Sequence, residues 1–298
     1  MCDEHTEAED AAWLERNPMS RRQFGGTAAA LAAGFAVTGT MAGCMTRSTH
    51  DDPAGLTEEM VKITTPDGTA DAYFVHPGGA PRPGIIIWPD IGGLRDAFKT
   101  MGRRLAQAGY AVLVVNQYYR SKVAPVLAPG QSFSTPDGRA ALEPMIARID
   151  QAGTFRDTQA FVAFLDGQRA VDTKRKIGTV GYCMGGMMVV RSCAASPDRV
   201  GAGASCHGAN LVTDKADSPH KLIAQSKASY LFAIAQNDDQ RQPEAKKVLQ
   251  DTCAAAGRPA EIEVYPAQHG WCTIDSKVYD QVQAERAWSR VLALFAKL

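Results

Sequence analysis

One stretch constrains the fold of this chain more than any other: Lys176 to Ala195, which contains Gly181-Tyr182-Cys183-Met184-Gly185-Gly186. A short apolar run, Ile177 to Tyr182, leads into it, and an apolar helical pattern, Met184 to Ala195, leads out. Glycines two residues either side of a cysteine describe a strand that turns sharply into a helix with the cysteine at the apex. Side chains at Gly181 and Gly185 would collide in such a turn, so both positions want no Cβ. The turn places Cys183 at a helix N-terminus, where the dipole favours thiolate over thiol. A free thiol of pKa near ~8.5 is only about 3% ionised at neutral pH, so a reactive cysteine needs a neighbouring base. The alternative reading of the same residues is a structural cysteine in a strand-to-helix turn.

The rest of the chain alternates in the same way. Met60 to Thr64 and Ala70 to His76 flank Pro66-Asp67-Gly68, a hairpin signal. Short apolar runs follow at Gly84 to Trp88, Ala111 to Asn116, Val200 to Cys206, Ser229 to Ala235 and Glu261 to Tyr265. Most read as strands buried on both faces. Between them lie helical patterns at Ala97 to Ala108, Ala140 to Asp166, Glu244 to Ala256 and Val278 to Lys297. Strands alternating with helices predict an α/β fold, a mostly parallel central sheet with helices on both faces. At 298 residues and 45% hydrophobic the chain can bury one such core. We read residues 58–298 as that domain, 48–57 as a linker and 1–47 as an extension outside the fold. Lys plus Arg equals Asp plus Glu, at 32 each. No net field or aromatic-laced basic stripe favours nucleic acid, which leaves a small molecule as the partner.

Ligands of open α/β sheets bind at the C-terminal ends of the strands, and four of those ends carry reactive groups. Cys183 is the first. Asp238 and Asp239 follow the Ser229 to Ala235 run, and His269 follows Glu261 to Tyr265. The chain order nucleophile, acid, histidine suits a triad on this kind of sheet. Trp88-Pro89-Asp90-Ile91-Gly92-Gly93 is the fourth, and the backbone amides of Ile91 and Met184 are candidates for an oxyanion hole. His207 also follows a strand and is expected to line the pocket as a substrate-binding group; His269, as an isolated loop histidine, has a structural reading as its alternative. His269-x-x-Cys272 and Cys206-His207 are metal ligands by type, but no pair of CxxC units accompanies them, so no metal and no cofactor is expected. Residues 119–138, rich in proline and glycine, read as a flexible cover or a surface loop.

From about Glu58 to the C-terminus the chain resembles the dienelactone hydrolase family (carboxymethylenebutenolidases), within the α/β-hydrolases. The resemblance rests on GYCMGG, WPDIGGLRDAF, Gly109-Tyr110 ahead of Asn116-Gln117-Tyr118, the Asn237-Asp238 turn and His269-Gly270. It implies a triad of Cys183, Asp238 and His269 that cleaves an ester or lactone through a thioester, with Asp238 favoured over Asp239. It also implies that Asp90, where the family usually has Glu, contacts the resting nucleophile and activates it. The family's dienelactone enzyme holds the substrate carboxylate with arginines, one of them four residues after the histidine; here that position is Thr273. Arg95 and Arg120, which follow strand ends, are the candidates to replace it as substrate-binding groups. The rival readings are a non-catalytic envelope binding protein on the same fold and a thiol-dependent acyltransferase.

The first 47 residues carry targeting signals. Ser20-Arg21-Arg22-Gln23-Phe24, followed by the Ala- and Gly-rich run to Gly43, resembles a signal for the twin-arginine export machinery. Met41-Ala42-Gly43-Cys44 resembles a lipoprotein processing site that would lipidate Cys44. A periplasmic or envelope-anchored protein is therefore expected. Met1 to Pro18, unusually acidic for a signal peptide, is either a long leader or lies ahead of a start at Met19. Outside the cytoplasm Cys193, Cys206, Cys253 and Cys272 could form two disulfides, or remain small buried hydrophobes; a core of this size does not need staples.

Overall fold

The computed structural model describes residues 4–16 and 55–298. The twin-arginine pair and Cys44 lie outside the described residues. No helix among those described is long and apolar enough to cross a membrane.

After helix α1 (Glu4–Arg16), strands β1 (Leu56–Thr65) and β2 (Gly68–Pro77) form the expected hairpin. β3 (Gly84–Trp88), α2 (Asp96–Gln107) and β4 (Ala111–Val115) begin the alternating part. Two helices follow, α3 (Pro136–Ile146) and α4 (Gln151–Asp166). Then come β5 (Ile177–Tyr182), α5 (Gly185–Ala195), β6 (Val200–Cys206), a 3-10 turn (Pro219–Gln225) and β7 (Ser229–Ala235). The short α6 (Gln236–Arg241), α7 (Ala245–Ala255), β8 (Ala260–Tyr265) and α8 (Gln281–Phe295) close the chain.

The eight strands form one sheet in the order β1-β2-β4-β3-β5-β6-β7-β8. β2 pairs antiparallel with β1 and β4, and every other pairing is parallel. The continuous apolar runs are explained by a core on each face: Ile85 and Ile87 point into one, Ile86 and Trp88 into the other. One core packs under α2 and α8, the other under α4, α5 and α7. Each such fully buried side chain contributes roughly 1.5–3 kcal/mol.

Several features differ from the sequence reading. The helical pattern Ala140 to Asp166 is two helices, because Asp150 caps a new one with its side chain on the Gly153 amide at 2.5 Å. The first strand begins at Leu56, inside the expected linker. Residues 119–138 are tied to the body rather than loose: Tyr119 bonds Thr65 and Asp157, Asp71 accepts the Ala124 amide, and Val126 is buried.

Candidate active site

Cys183 stands at the apex between β5 and α5 with φ +53°, a conformation few residues other than glycine adopt. Neighbours with no Cβ make the turn possible. A Cβ on Gly181 would run into the Gly185 carbonyl, and one on Gly185 would meet the Trp88 and Pro89 carbonyls, the latter at 2.7 Å. The same closeness lays the end of β3 against the elbow. Four hydrogen bonds hold the Cys183 backbone. Its amide donates to the Cys206 carbonyl (3.1 Å) and to His207 Nδ1 (3.0 Å). Its carbonyl accepts from Gly186 (3.0 Å) and Ala209 (3.0 Å).

The strand order then brings the other candidates to this edge. His269 Nδ1 meets Asp238 Oδ2 at 2.6 Å. Asp239 faces away, onto Lys246 at 2.8 Å and 2.9 Å, so geometry separates the two aspartates that the sequence left adjacent. Asp238 Oδ1 is held by Arg241 at 2.9 Å. His269 is 4% exposed and Cys183 is 3% exposed, so both sit out of bulk water. Burial of the ring alone would lower the His269 pKa. The charges of Cys183 and Asp238 beside it outweigh that and push it up to about 10. Nε2, turned from Asp238, has no oxygen or nitrogen partner.

Asn237 and helix α1 support the histidine in ways the sequence does not assign. Buried Asn237 accepts the His269 amide on its side-chain oxygen at 2.9 Å, which fixes the histidine loop to the start of α6. Its Nδ2 donates to Glu9 of α1 at 3.1 Å, and Glu9 also lies 3.7 Å from Arg241. Helix α1, read as outside the fold, thus reaches the surroundings of His269 and Asp238. Asp10 follows it there, and burial, partly offset by His269, pushes its pKa up to about 6. The Asn-Asp pair after β7 was visible in the sequence; the contact with α1, more than two hundred residues away, was not.

The remaining candidates are placed differently from one another. Asp90 bonds the Gly92 amide (2.8 Å) and takes a bidentate grip from Arg95 (2.6 and 2.8 Å). Arg95 also binds Asp275 (2.7 and 2.8 Å), so its guanidinium bridges two protein carboxylates. Arg120 binds Asp67 and Asp157 in the same manner, at 2.5 Å and 2.7 Å. Both arginines are occupied by the protein itself rather than presented to a ligand. Thr273 is 1% exposed and supplies no cation for a carboxylate. We expect Arg120→Ala to lower stability by about 2 kcal/mol in denaturant unfolding, because Asp157 is left buried without its cation. KM for a simple ester should not change; a KM that rises with stability intact would instead assign Arg120 to the substrate.

All five described cysteines are free thiols. A cavity of about 90 Å³ is lined by Tyr182, Cys206, Cys272 and Trp288, and neither Cys183 nor His269 borders it. Among the described residues, no three His, Cys, Asp or Glu side chains gather as a metal site.

The model of the dienelactone hydrolase family matches residues 70–298. A protein of Methylorubrum extorquens that carries the provisional name carboxymethylenebutenolidase is 30% identical over 280 residues, covering 92% of this chain and 91% of its own. A similarly named Escherichia coli protein is 25% identical over 272 residues, covering 88% and 94%. Among solved structures, one described as a dienelactone hydrolase from Klebsiella pneumoniae superposes with TM-score 0.71 at 22% identity, covering 82% of this chain and 99% of that one. A promiscuous dienelactone hydrolase-like phosphotriesterase from metagenomic libraries superposes with TM-score 0.66, also at 22% identity, over 82% and 99%. At those identities the structural likeness shows the α/β-hydrolase fold, while the sequence match carries the family. This chain belongs to the dienelactone hydrolase family and is a hydrolase of the ester- and lactone-cleaving type.

Proposed function

We propose that the chain hydrolyses an ester or lactone through a Cys183, His269, Asp238 triad and a thioester intermediate. The observation that carries this reading is Cys183, held at positive φ on the elbow, beside a histidine whose far nitrogen is fixed by Asp238 at 2.6 Å. His269 and Cys183 form an imidazolium–thiolate pair. The thiolate attacks the ester carbonyl carbon and the π electrons move onto oxygen. The Met184 and Ile91 amides receive that oxyanion. Collapse breaks the C–O bond, and His269 passes its proton to the leaving alkoxide. Neutral His269 then takes a proton from water, whose hydroxide attacks the thioester. The acid product leaves, and the thiolate and imidazolium are restored. Asp90 takes the family's activating role only by releasing Arg95.

Arg95 and Arg120 are both engaged by protein carboxylates, and Thr273 is buried, so we assign a substrate that need not carry a carboxylate. We assign this chemistry to the exported form implied by Arg21 and Arg22, in which processing ahead of Cys44 removes α1 and leaves Cys183, Asp238 and His269 in place. Acid quenching during turnover of an aryl acetate, followed by mass spectrometry, tests the reading. The peptide containing Cys183 should carry one acetyl group, and acetyl on any other residue sinks the proposal.

The pH dependence follows from His269. Its raised pKa means kcat/KM should hold through neutral pH and fall on the alkaline side with an apparent value of about 10, as the imidazolium that protonates the leaving group is lost. A pH–rate profile checks this; an alkaline limb near an ordinary histidine value would contradict it. Stability has a related signature. Since the folded value lies above the unfolded value of ~6.5, the pair's contribution is complete below ~6.5 and is lost as pH rises through about 10.

A further inference from the structure

We propose that His207 is a positioning residue, whose Nδ1 anchors the Cys183 amide and so holds the strained elbow with its thiol against His269. This rests on Cys183 being the nucleophile. Three observations carry it. The first is the bond itself: Cys183 N–H to His207 Nδ1, 3.0 Å, from a side chain that is 1% exposed. An acceptor Nδ1 requires the proton on Nε2, so the bond selects one neutral tautomer. The second is strain on both partners. His207 has φ +40° and Cys183 has φ +53°, and neither is glycine. Two strained residues joined by one bond are over-determined by their surroundings, as residues at functional sites are. The third is placement. The His207 ring lies edge-on to His269 and to Trp271, with ring centres 5.1 Å apart in each case, and 6.0 Å from Tyr182.

The ring therefore ties two catalytic strands together, reading the nucleophile's backbone on one side and packing on the catalytic base on the other. Its own backbone amide is fixed to β7 through the Ala233 carbonyl at 2.7 Å. Burial, reinforced by repulsion from His269, keeps the His207 ring neutral. Neutrality matters, because a second imidazolium here would oppose the one on His269 that the reaction needs. Nε2 has no partner among the described residues, so nothing in the fold competes for the tautomer that leaves Nδ1 free to accept.

The test compares three variants. Asparagine tolerates positive φ and offers Oδ1 near the place of Nδ1. His207→Asn should keep kcat within about threefold of the parent, whereas His207→Leu should lose about 10- to 100-fold in kcat with KM changed less than about twofold. His207→Gly relieves the strain without restoring the acceptor, so it should behave like leucine. Equal losses in the asparagine and leucine variants, or parental kcat in the glycine variant, would overturn the proposal.

Two measurements do not depend on turnover, and the first needs no variant. In the parent protein, imidazole ¹⁵N shifts should show His207 with a bare Nδ1 and no titration from about pH 5 to about pH 9. A protonated Nδ1 would overturn the assignment. The Cys183 amide signal should move in the leucine variant and stay near its parental position in the asparagine variant; the reverse pattern also overturns it. Full turnover by a Cys183→Ala protein would sink the nucleophile reading alone, while the Cys183 amide signal still decides the His207 bond.

Discussion

Cys183→Ala is expected to lower kcat on an aryl ester by at least about 10⁴-fold while leaving the protein folded, its thermal midpoint lowered only by loss of the His269–Cys183 charge pair. The fall is large because no other described group replaces the thiolate at the apex. His269 Nε2, the atom that would meet it, has no oxygen or nitrogen partner to activate instead. The fold survives because the substitution removes one sulfur and leaves the four backbone bonds at residue 183 intact. Residual rate over water should persist, since the Met184 and Ile91 amides and the binding surface remain. Steady-state kinetics with calorimetry in parallel checks the prediction. Undiminished turnover in a folded variant would remove the thioester from the mechanism and leave only the family assignment standing.

Gly185→Ala should do the opposite, failing in the fold before it fails in the chemistry. A Cβ there meets backbone carbonyls, Trp88 and Pro89, and not the movable end of a side chain. Relief requires β3 and the elbow to separate, which also parts the Ile91 and Met184 amides. We expect a loss of more than about 4 kcal/mol, a fall in thermal midpoint of roughly 10 °C or an insoluble product. Gly167→Ala is the matched control. Its φ is −81° and its nearest contact is a carbonyl at 3.4 Å, so alanine should be close to neutral there. A Gly185→Ala protein as stable as the control would mean that the elbow and β3 are not in the contact described.

The buried histidines make the acid side of the stability profile distinct from the alkaline side. His207, kept neutral by burial and by His269, must lose the proton it carries in the unfolded chain below ~6.5, so its effect on stability worsens as pH falls. His269 acts in the opposite sense, as its raised pKa requires. The two neighbouring rings therefore limit the stable range from opposite ends.

Much of the site was legible in the sequence because it is encoded locally. A strand-to-helix turn with glycines two residues either side of a cysteine permits little besides the elbow. Parallel strands put Asp238 and His269 at the same edge whatever the intervening helices do. The ends of helices were less legible: Asp150 reads as one polar residue in an apolar period, yet its cap divides one predicted helix into two. Arg95 and Arg120 show the deeper limit. Their positions after strand ends suggested substrate binding, and only the fold brings Asp275, Asp67 and Asp157 close enough to occupy them.

The sequence by itself determined the layered α/β architecture, the nucleophile candidate and the order of the reactive groups, because periodicity and turn chemistry act over a few residues. Tertiary structure alone decided which aspartate meets His269, which arginines are engaged, that His207 grips the amide of Cys183, and that α1 reaches Asn237. Each of these is a contact between segments far apart in the chain. Such contacts depend on distances of 2.6–3.1 Å set by packing of the whole sheet, and no local pattern in the chain specifies them.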